Sequence, residues 1–186
     1  DTAGREGKTA LMQACVSGHL KIVCLLLEAG AAKDLATRSG RTALMLACAR
    51  GDFEVARALL EAGAKTDKVD RGGRTALMLA ALCGHVKIAH LLLQFDAEKD
   101  GAHCTALMLA SEKGDLEVVR TLLEAGAEKD CSNCRGMTAL MLASEREHLE
   151  ATRVLVEAGV DKECRGRGGQ TAIMLASEKG HLEVLR

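Results

Sequence analysis

The sequence contains no proline, tryptophan or tyrosine, and its only aromatic residues are Phe53 and Phe95. It therefore lacks most of the stacking platforms that proteins use to bind single-stranded nucleic acids. A formal net charge of −1 excludes a strongly basic nucleic-acid-binding protein on composition alone. No apolar run approaches the roughly 18 residues of a membrane span, and no signal peptide is visible at the N-terminus. We expect no nucleic acid as a partner and no membrane insertion.

The core must be built from aliphatic residues, because 48% of the 186 residues are hydrophobic but only 1% are aromatic. Leu, Ala, Val, Ile and Met suit closely packed helices. With proline absent, the 19 glycines mark the ends of the structural elements.

A four-residue string, Thr-Ala-Leu-Met, occurs five times and recurs once as Thr-Ala-Ile-Met. Its copies lie 33 residues apart, with one spacing of 30, and begin at Thr9, Thr42, Thr75, Thr105, Thr138 and Thr171. A fixed period of this length is typical of a solenoid of stacked helical units.

The second copy of the string shows how one unit is built. Thr42 is predicted to cap a short helix over Ala43–Ala49 through its hydroxyl group. Gly51 breaks that helix, and a second helix is predicted over Glu54–Glu61 because its apolar residues have helical spacing. Gly63 is predicted to end it. The first-helix residues expected to pack inward are Leu44, Leu46 and Ala47.

This helix–helix–turn unit resembles the ankyrin repeat over nearly the whole chain, through the patterns G-x-T-A-L-M-L-A, G-[HD]-x-[EK] and L-L-E-A-G-A. The resemblance implies an all-α solenoid with short hairpin-like turns. It also implies one array over residues 1–186, expected to be a fragment of a longer chain. Its units are Glu6–Arg38, Ser39–Arg71, Gly72–Gly101, Ala102–Cys134, Arg135–Arg167 and a partial Gly168–Arg186.

Several features depart from the family pattern. Ala and Met replace the family's usual Pro and His after the Thr, and we interpret the methionines as packing between repeats. The third unit is three residues short, so Asp96 is expected in the left-handed conformation and Phe95 at the surface. Glu147 replaces the inter-helix glycine of the fifth unit. The methionines are Met12, Met45, Met78, Met108, Met141 and Met174.

Six of the eight cysteines fall into two groups, and the other two, Cys24 and Cys83, have no obvious partner. Cys15 and Cys48 share one helical position and are predicted to be small buried residues. Four others, Cys104, Cys131, Cys134 and Cys164, lie in turns between repeats. A zinc site, a disulfide between Cys131 and Cys134, and free cytosolic thiols all remain open for this group.

No catalytic motif is present: the chain has no phosphate-binding loop, no H-E-x-x-H helix and no G-x-S-x-G turn. His19, His85, His148 and His181 share a position that Asp52 and Asp115 also occupy, which indicates a helix start rather than a catalytic group. We expect a protein that is not an enzyme, has no cofactor or metal, and takes no small-molecule substrate.

The resemblance implies that a partner protein binds the concave side, formed by turn residues and first helices. The charges there are unbalanced, because the first three units carry seven cations at these positions against only Glu6. Arginines around an apolar centre are typical of interaction hot spots. The predicted partner-binding residues are Arg38, Arg41, Arg50, Arg71, Arg74, Leu82 and Cys83.

The predicted function is therefore a cytoplasmic scaffold that binds an acidic, partly apolar segment of another protein. One alternative is a substrate-recruiting arm of a larger enzyme, such as a ligase or kinase, whose catalytic domain lies outside these residues. The other is that the charge pattern only keeps the repeats in solution.

Overall fold

Pairs of helices joined by turns of two or three residues form the repeating unit of the structure. The computed structural model describes residues 4–95 and 106–185, and the helices in that part of the chain follow the predicted period. They are α1 Ala10–Ser17, α2 Leu20–Glu28, α3 Ala43–Arg50, α4 Phe53–Glu61, α5 Ala76–Leu82, α6 Val86–Gln94, α7 Ala106–Lys113, α8 Leu116–Glu124, α9 Ala139–Glu145, α10 Leu149–Glu157 and α11 Ala172–Lys179, with short 3-10 helices at Arg5–Gly7 and Leu182–Leu185. The described residues contain no strand, so the all-α prediction is confirmed.

The first helix of each unit starts where the Thr was predicted to cap it. The Thr42 hydroxyl accepts a hydrogen bond from the backbone N–H of Met45 at 3.3 Å. The same bond forms at the other described copies, Thr9, Thr75, Thr138 and Thr171. Helix α3 ends at Arg50, and Gly51 then takes the left-handed conformation with φ of 86°. The cap and the glycine break are therefore confirmed.

The core lies between successive helix pairs and is aliphatic, as expected. Met12, Met45, Met78, Met108 and Met141 are all buried, which agrees with a packing role. Met174 is 49% exposed, because no further helix pair covers α11 in the described residues.

Leu46 differs from its prediction. Leu44 and Ala47 are fully buried, but Leu46 is only partly covered. Its side chain lies on the face of α3 that borders the preceding turn, where it lines a surface depression. The prediction that Leu46 packs inward is therefore wrong, although the same helical position is buried at Leu79, Leu142 and Leu175.

The segments between units form hairpin-like turns that are hydrogen-bonded to one another. In the hairpin of residues 37–41, the N–H of Thr37 donates to Arg41 O at 2.9 Å and the N–H of Gly40 donates to Thr37 O at 2.9 Å. The N–H of Arg71, in the next hairpin, donates to Ser39 O at 3.0 Å. The last bond fixes the tips of these two hairpins against each other.

Contacts divide the chain into two compact units, Asp1–Glu98 and Lys99–Arg186. Phe95 is exposed at the end of α6, as predicted. Glu147, in place of the inter-helix glycine, lies in the left-handed region with φ of 61°. Asp96 and Cys104 lie outside the described residues, so the predictions made for them are not tested. No described helix is long and apolar enough to cross a bilayer.

Candidate interaction surface

A depression of about 480 Å³ opens between the first helices and the hairpin tips of the first compact unit. It is lined mainly by hairpin residues, and Leu46 contributes an apolar side chain from α3. Three of the predicted partner-binding arginines meet here. The full lining is Glu6, Lys8, Thr37, Arg38, Ser39, Arg41, Leu46 and Arg71.

Asp70 is a buried carboxylate at the base of the hairpin of residues 70–74, and its side chain is only 2% exposed. One oxygen accepts from the backbone N–H groups of Gly72 and Arg74, at 2.8 and 3.1 Å. The other accepts from Nε and Nη2 of Arg74, at 3.1 and 2.8 Å, and lies 3.7 Å from Nε of Arg41. The carboxylate thus links the turn backbone to arginines of two successive hairpins.

These bonds determine the charge state of Asp70. Burial by itself raises the pKa of this carboxyl group. The hydrogen bonds from the Arg74 side chain and from the backbone of Arg74 and Gly72, together with the Arg74 charge, outweigh burial and hold the pKa below its ordinary value. Asp70 is therefore ionised at neutral pH and compensates part of the cationic charge around it.

The predicted site residues consequently fall into three groups. Arg41 and Arg74 are held by Asp70, and Arg50 is paired with Asp52 at 2.7 Å. Arg38 and Arg71 are exposed and make no ion pair among the described residues. Leu82 and Cys83 lie at the end of α5, where Leu82 is half-buried and Cys83 exposed, and neither lines the depression.

Sequence reasoning missed Asp70, Ser39 and Leu46 as parts of this surface. Asp70 lies five residues before Thr75, next to Arg71 but not among the charged turn residues that the family pattern places on the concave side. A signal was present, because the equivalent positions hold Thr37 and Asn133, both common turn residues whose side chains bond to nearby backbone.

The second compact unit has similar hairpins but a different set of side chains. Asn133 takes the place of Asp70, and its Oδ1 accepts from the N–H groups of Arg135 and Met137 at 2.9 and 3.1 Å. Met137 and Gln170 stand at the position just before the Thr, where the first unit has Arg41 and Arg74. The backbone link between tips persists, with the Arg167 N–H donating to Arg135 O at 3.3 Å.

The shared His/Asp position starts the second helix of each pair, as predicted, but those side chains do not cap it. His148 Nε2 lies 3.1 Å from Glu112 O, and His181 Nε2 lies 3.0 Å from Glu145 O, both in the preceding unit. A Cβ atom added at Gly51 would come within 2.6 Å of the His85 ring. These rings therefore pack against the preceding inter-helix turn.

The helical cysteines are buried as predicted. Burial, followed by the charge of nearby Asp52, raises the pKa of Cys15 to about 12, and burial also raises the pKa of Cys48. Both thiols are therefore protonated and unreactive at neutral pH.

The turn cysteines are more accessible. Cys134 is exposed, the Cys131 thiol donates to Glu128 O at 3.5 Å, and the Cys164 thiol donates to Asp161 Oδ2 at 3.4 Å. Within the described ranges, no three His, Cys, Asp or Glu side chains are arranged to hold a metal ion. Because Cys104 lies outside those ranges, the complete four-cysteine set is not tested.

Comparisons with known proteins agree on one family. The sequence matches a family model described as ankyrin repeats (3 copies) in four segments, residues 1–70, 29–106, 63–133 and 107–186. The crystal structure of EF0377, an ankyrin repeat protein, has a TM-score of 0.86 at 29% identity and covers 94% of each chain. The ankyrin repeat domain of Bcl-3, described as a unique member of the IkappaB protein family, has a TM-score of 0.89 at 30% identity, covering 100% of this chain and 85% of that one. No curated protein matches the sequence.

The family model spans the chain from end to end, and the helix pairs, capping threonines and bonded hairpins repeat in the same register. The protein belongs to the ankyrin-repeat family.

Proposed function

We propose that this protein is an interaction scaffold whose hairpin tips and first helices in Asp1–Glu98 bind an acidic, partly apolar segment of another protein. Ankyrin repeats generally mediate protein–protein interaction, and the proposal adds the surface and the chemistry of the partner. The observation that carries it is the depression lined by Arg38 and Arg71, whose guanidinium groups have no ion-pair partner among the described residues.

Charge and shape favour the same partner chemistry. The depression contains an apolar contact, Leu46, surrounded by cations, so it complements an aliphatic side chain flanked by carboxylates. Beyond it, the partly covered Ala49 and Leu82 continue the apolar surface along the first helices. A segment lying across the hairpins would therefore meet positive charge at the tips and apolar contacts toward the helices.

The proposed setting is intracellular. Cys83 and Cys134 are exposed thiols that form no disulfide, which suits a reducing compartment.

Peptide display against the full chain tests the proposal. We expect the retained peptides to combine Asp or Glu with Leu or Ile, and to bind a chain carrying Arg38→Glu and Arg71→Glu at least about tenfold more weakly, a loss of about 1.4 kcal/mol. Both substituted side chains are exposed, so the helical spectrum and melting temperature should stay nearly constant.

The matched control reverses two exposed lysines on second helices of the same compact unit, Lys21→Glu and Lys87→Glu. This pair changes the total charge by the same amount on a different face. If it weakens binding as much as the hairpin pair does, the effect is nonspecific electrostatics and the assigned surface is wrong. Retention of basic peptides would also contradict the proposal.

A further inference from the structure

We infer that the hairpin depression recognises a phosphorylated serine or threonine in the partner segment, rather than carboxylates alone. The inference rests on the proposed function, because it names the group that the same surface selects. It follows from how the charges in the depression are distributed among paired and unpaired side chains.

Two unpaired cations flank the depression. Arg38 and Arg71 occupy the same position in successive hairpins, and both are exposed. Their backbones are fixed side by side, since the Arg71 N–H bonds to Ser39 O at 3.0 Å and the Arg38 N–H bonds to Glu6 O at 3.0 Å. Long guanidinium side chains on adjacent tips can therefore converge on one ligand.

The nearby anions are already neutralised. Glu6 lies 3.1 Å from Lys8 Nζ, and the buried Asp70 accepts from Arg74 while lying beside Arg41. Because Asp70 carries one charge against two arginines, the depression and these neighbours keep a surplus of three positive charges, and two of the three are the unpaired Arg38 and Arg71. A single carboxylate would leave one of them uncompensated, whereas a phosphate monoester carries about −1.5 to −2 at neutral pH and has three acceptor oxygens for two guanidinium forks.

Hydroxyl groups complete the binding geometry. Thr37 Oγ1 accepts from the N–H of Arg41 at 3.1 Å and lies 2.9 Å from Ser39 Oγ. When Thr37 donates its hydrogen to Ser39, the Ser39 hydrogen is left to donate to a phosphate oxygen. The volume of about 480 Å³ admits a phosphorylated side chain, and Leu46 provides a contact for its carbon atoms or for an apolar neighbour.

The second compact unit provides an internal comparison. Arg135 and Arg167 are also exposed hairpin arginines on linked tips, but only Arg167 stands at the turn position of Arg38 and Arg71, and Arg135 lies one position later. Met137 and Gln170 stand where the first unit has Arg41 and Arg74, and Cys134 stands at the position of Arg38 and Arg71. We therefore expect the phosphate preference to belong to the first unit.

The test compares three peptide libraries of equal length, degenerate except at the centre, which holds phosphoserine, glutamate or serine. The full chain should retain phosphoserine peptides at least about tenfold more tightly than the glutamate set. Arg38→Glu with Arg71→Glu should abolish that preference, as should the milder Arg38→Gln with Arg71→Gln if charge reversal impairs folding. Arg135→Glu with Arg167→Glu should preserve it. In an NMR titration with a retained phosphoserine peptide, the Nε–H signals of Arg38 and Arg71 should shift first.

The outcomes separate the two proposals. Equal retention of the phosphoserine and glutamate libraries overturns the phosphate inference and leaves the acidic-segment proposal standing. Retention of neither library, or retention unaffected by the Arg38 and Arg71 variants, overturns both. Binding to vesicles containing phosphoinositides without retention of phosphoserine peptides assigns the depression to a lipid headgroup and also overturns the inference.

Discussion

Asp70 offers the sharpest test of how the arginine surface is held, because two substitutions separate its two functions. Replacing Asp70 with Asn should preserve the turn, since Asn133 accepts the equivalent pair of backbone N–H bonds in the second compact unit. Replacing it with Ala should remove both the turn bonds and the contacts with the arginines. The comparison therefore distinguishes the structural bonds from the electrostatic ones.

The expected magnitudes follow from the contacts. Asp70→Ala leaves the N–H groups of Gly72 and Arg74 without their acceptor, at about 1 kcal/mol each, and removes a charge-assisted bond to Arg74. We expect the free energy of unfolding to fall by about 2–4 kcal/mol. Asp70→Asn loses only the charged contact, and the Arg74 side chain is 37% exposed, so water solvates its charge. We expect that loss to be about 1–2 kcal/mol.

The pH dependence provides a second readout. The pKa of Asp70 is lowered in the folded protein, so its stabilising contribution is complete above the unfolded pKa of about 3.9 and is lost as the pH falls through the lower folded value. The stability difference between wild type and Asp70→Asn should thus be constant near neutrality and shrink below about pH 4. Denaturant titrations followed by far-UV circular dichroism at several pH values measure it.

Two results would refute this reasoning. Equal destabilisation by Asn and Ala would mean that the backbone bonds to Asp70 contribute nothing to stability. A wild-type advantage over Asn that persists unchanged well below pH 3 would mean that the Asp70 carboxylate is not held ionised by Arg74. As a control, Asn133→Asp should be tolerated with little change, because Met137 stands where Arg74 pairs with Asp70 and offers no positive charge.

Other predictions follow from local geometry. Glu147→Gly should raise the free energy of unfolding by roughly 0.5–1 kcal/mol, because φ is 61° there; a measurable decrease would contradict the assigned strain. Thr42→Ala should lower the free energy of unfolding by about 1 kcal/mol in the same denaturant titration, because the Met45 N–H loses its acceptor. An unchanged free energy of unfolding would mean that the Thr42 hydroxyl does not stabilise the helix start. Under native conditions Cys83 should react with a thiol reagent quickly and Cys48 only on unfolding; equal rates by mass spectrometry would show that the helix does not protect it.

Most of the fold followed from periodicity. The repeated Thr-Ala-Leu-Met string located the capping threonine, and glycine spacing located the helix ends to within one residue, as Gly51 shows. The prediction worked because cap, glycine break and apolar spacing are local features that repeat. The exposure of Leu46 was not predicted, because the burial of this side chain depends on where the neighbouring hairpin lies.

The candidate site was less predictable. The sequence identified Arg38, Arg41, Arg71 and Arg74 as a group, but it treated their charges as equally available. Asp70 pairs with Arg41 and Arg74 and leaves Arg38 and Arg71 unpaired. This difference depends on a buried side chain that reaches the arginines of two hairpins, at 2.8 and 3.7 Å. Such a pairing is set by tertiary packing, so counting charges along the chain cannot reveal it.

The packing of each second-helix histidine against the preceding turn bears on how arrays of this kind lengthen and recombine. His85 requires a turn without a side chain, since a Cβ atom at Gly51 would meet its ring at 2.6 Å. Glu147 is the exception, because it places a side chain at the position equivalent to Gly51. The histidine of the following repeat, His181, has its Nδ1 atom 3.3 Å from the Glu147 carboxylate. Neighbouring repeats are thus matched at their junctions. A duplication or exchange that cuts through such a junction would separate matched partners, so the segment best inherited intact spans the end of one repeat and the start of the next.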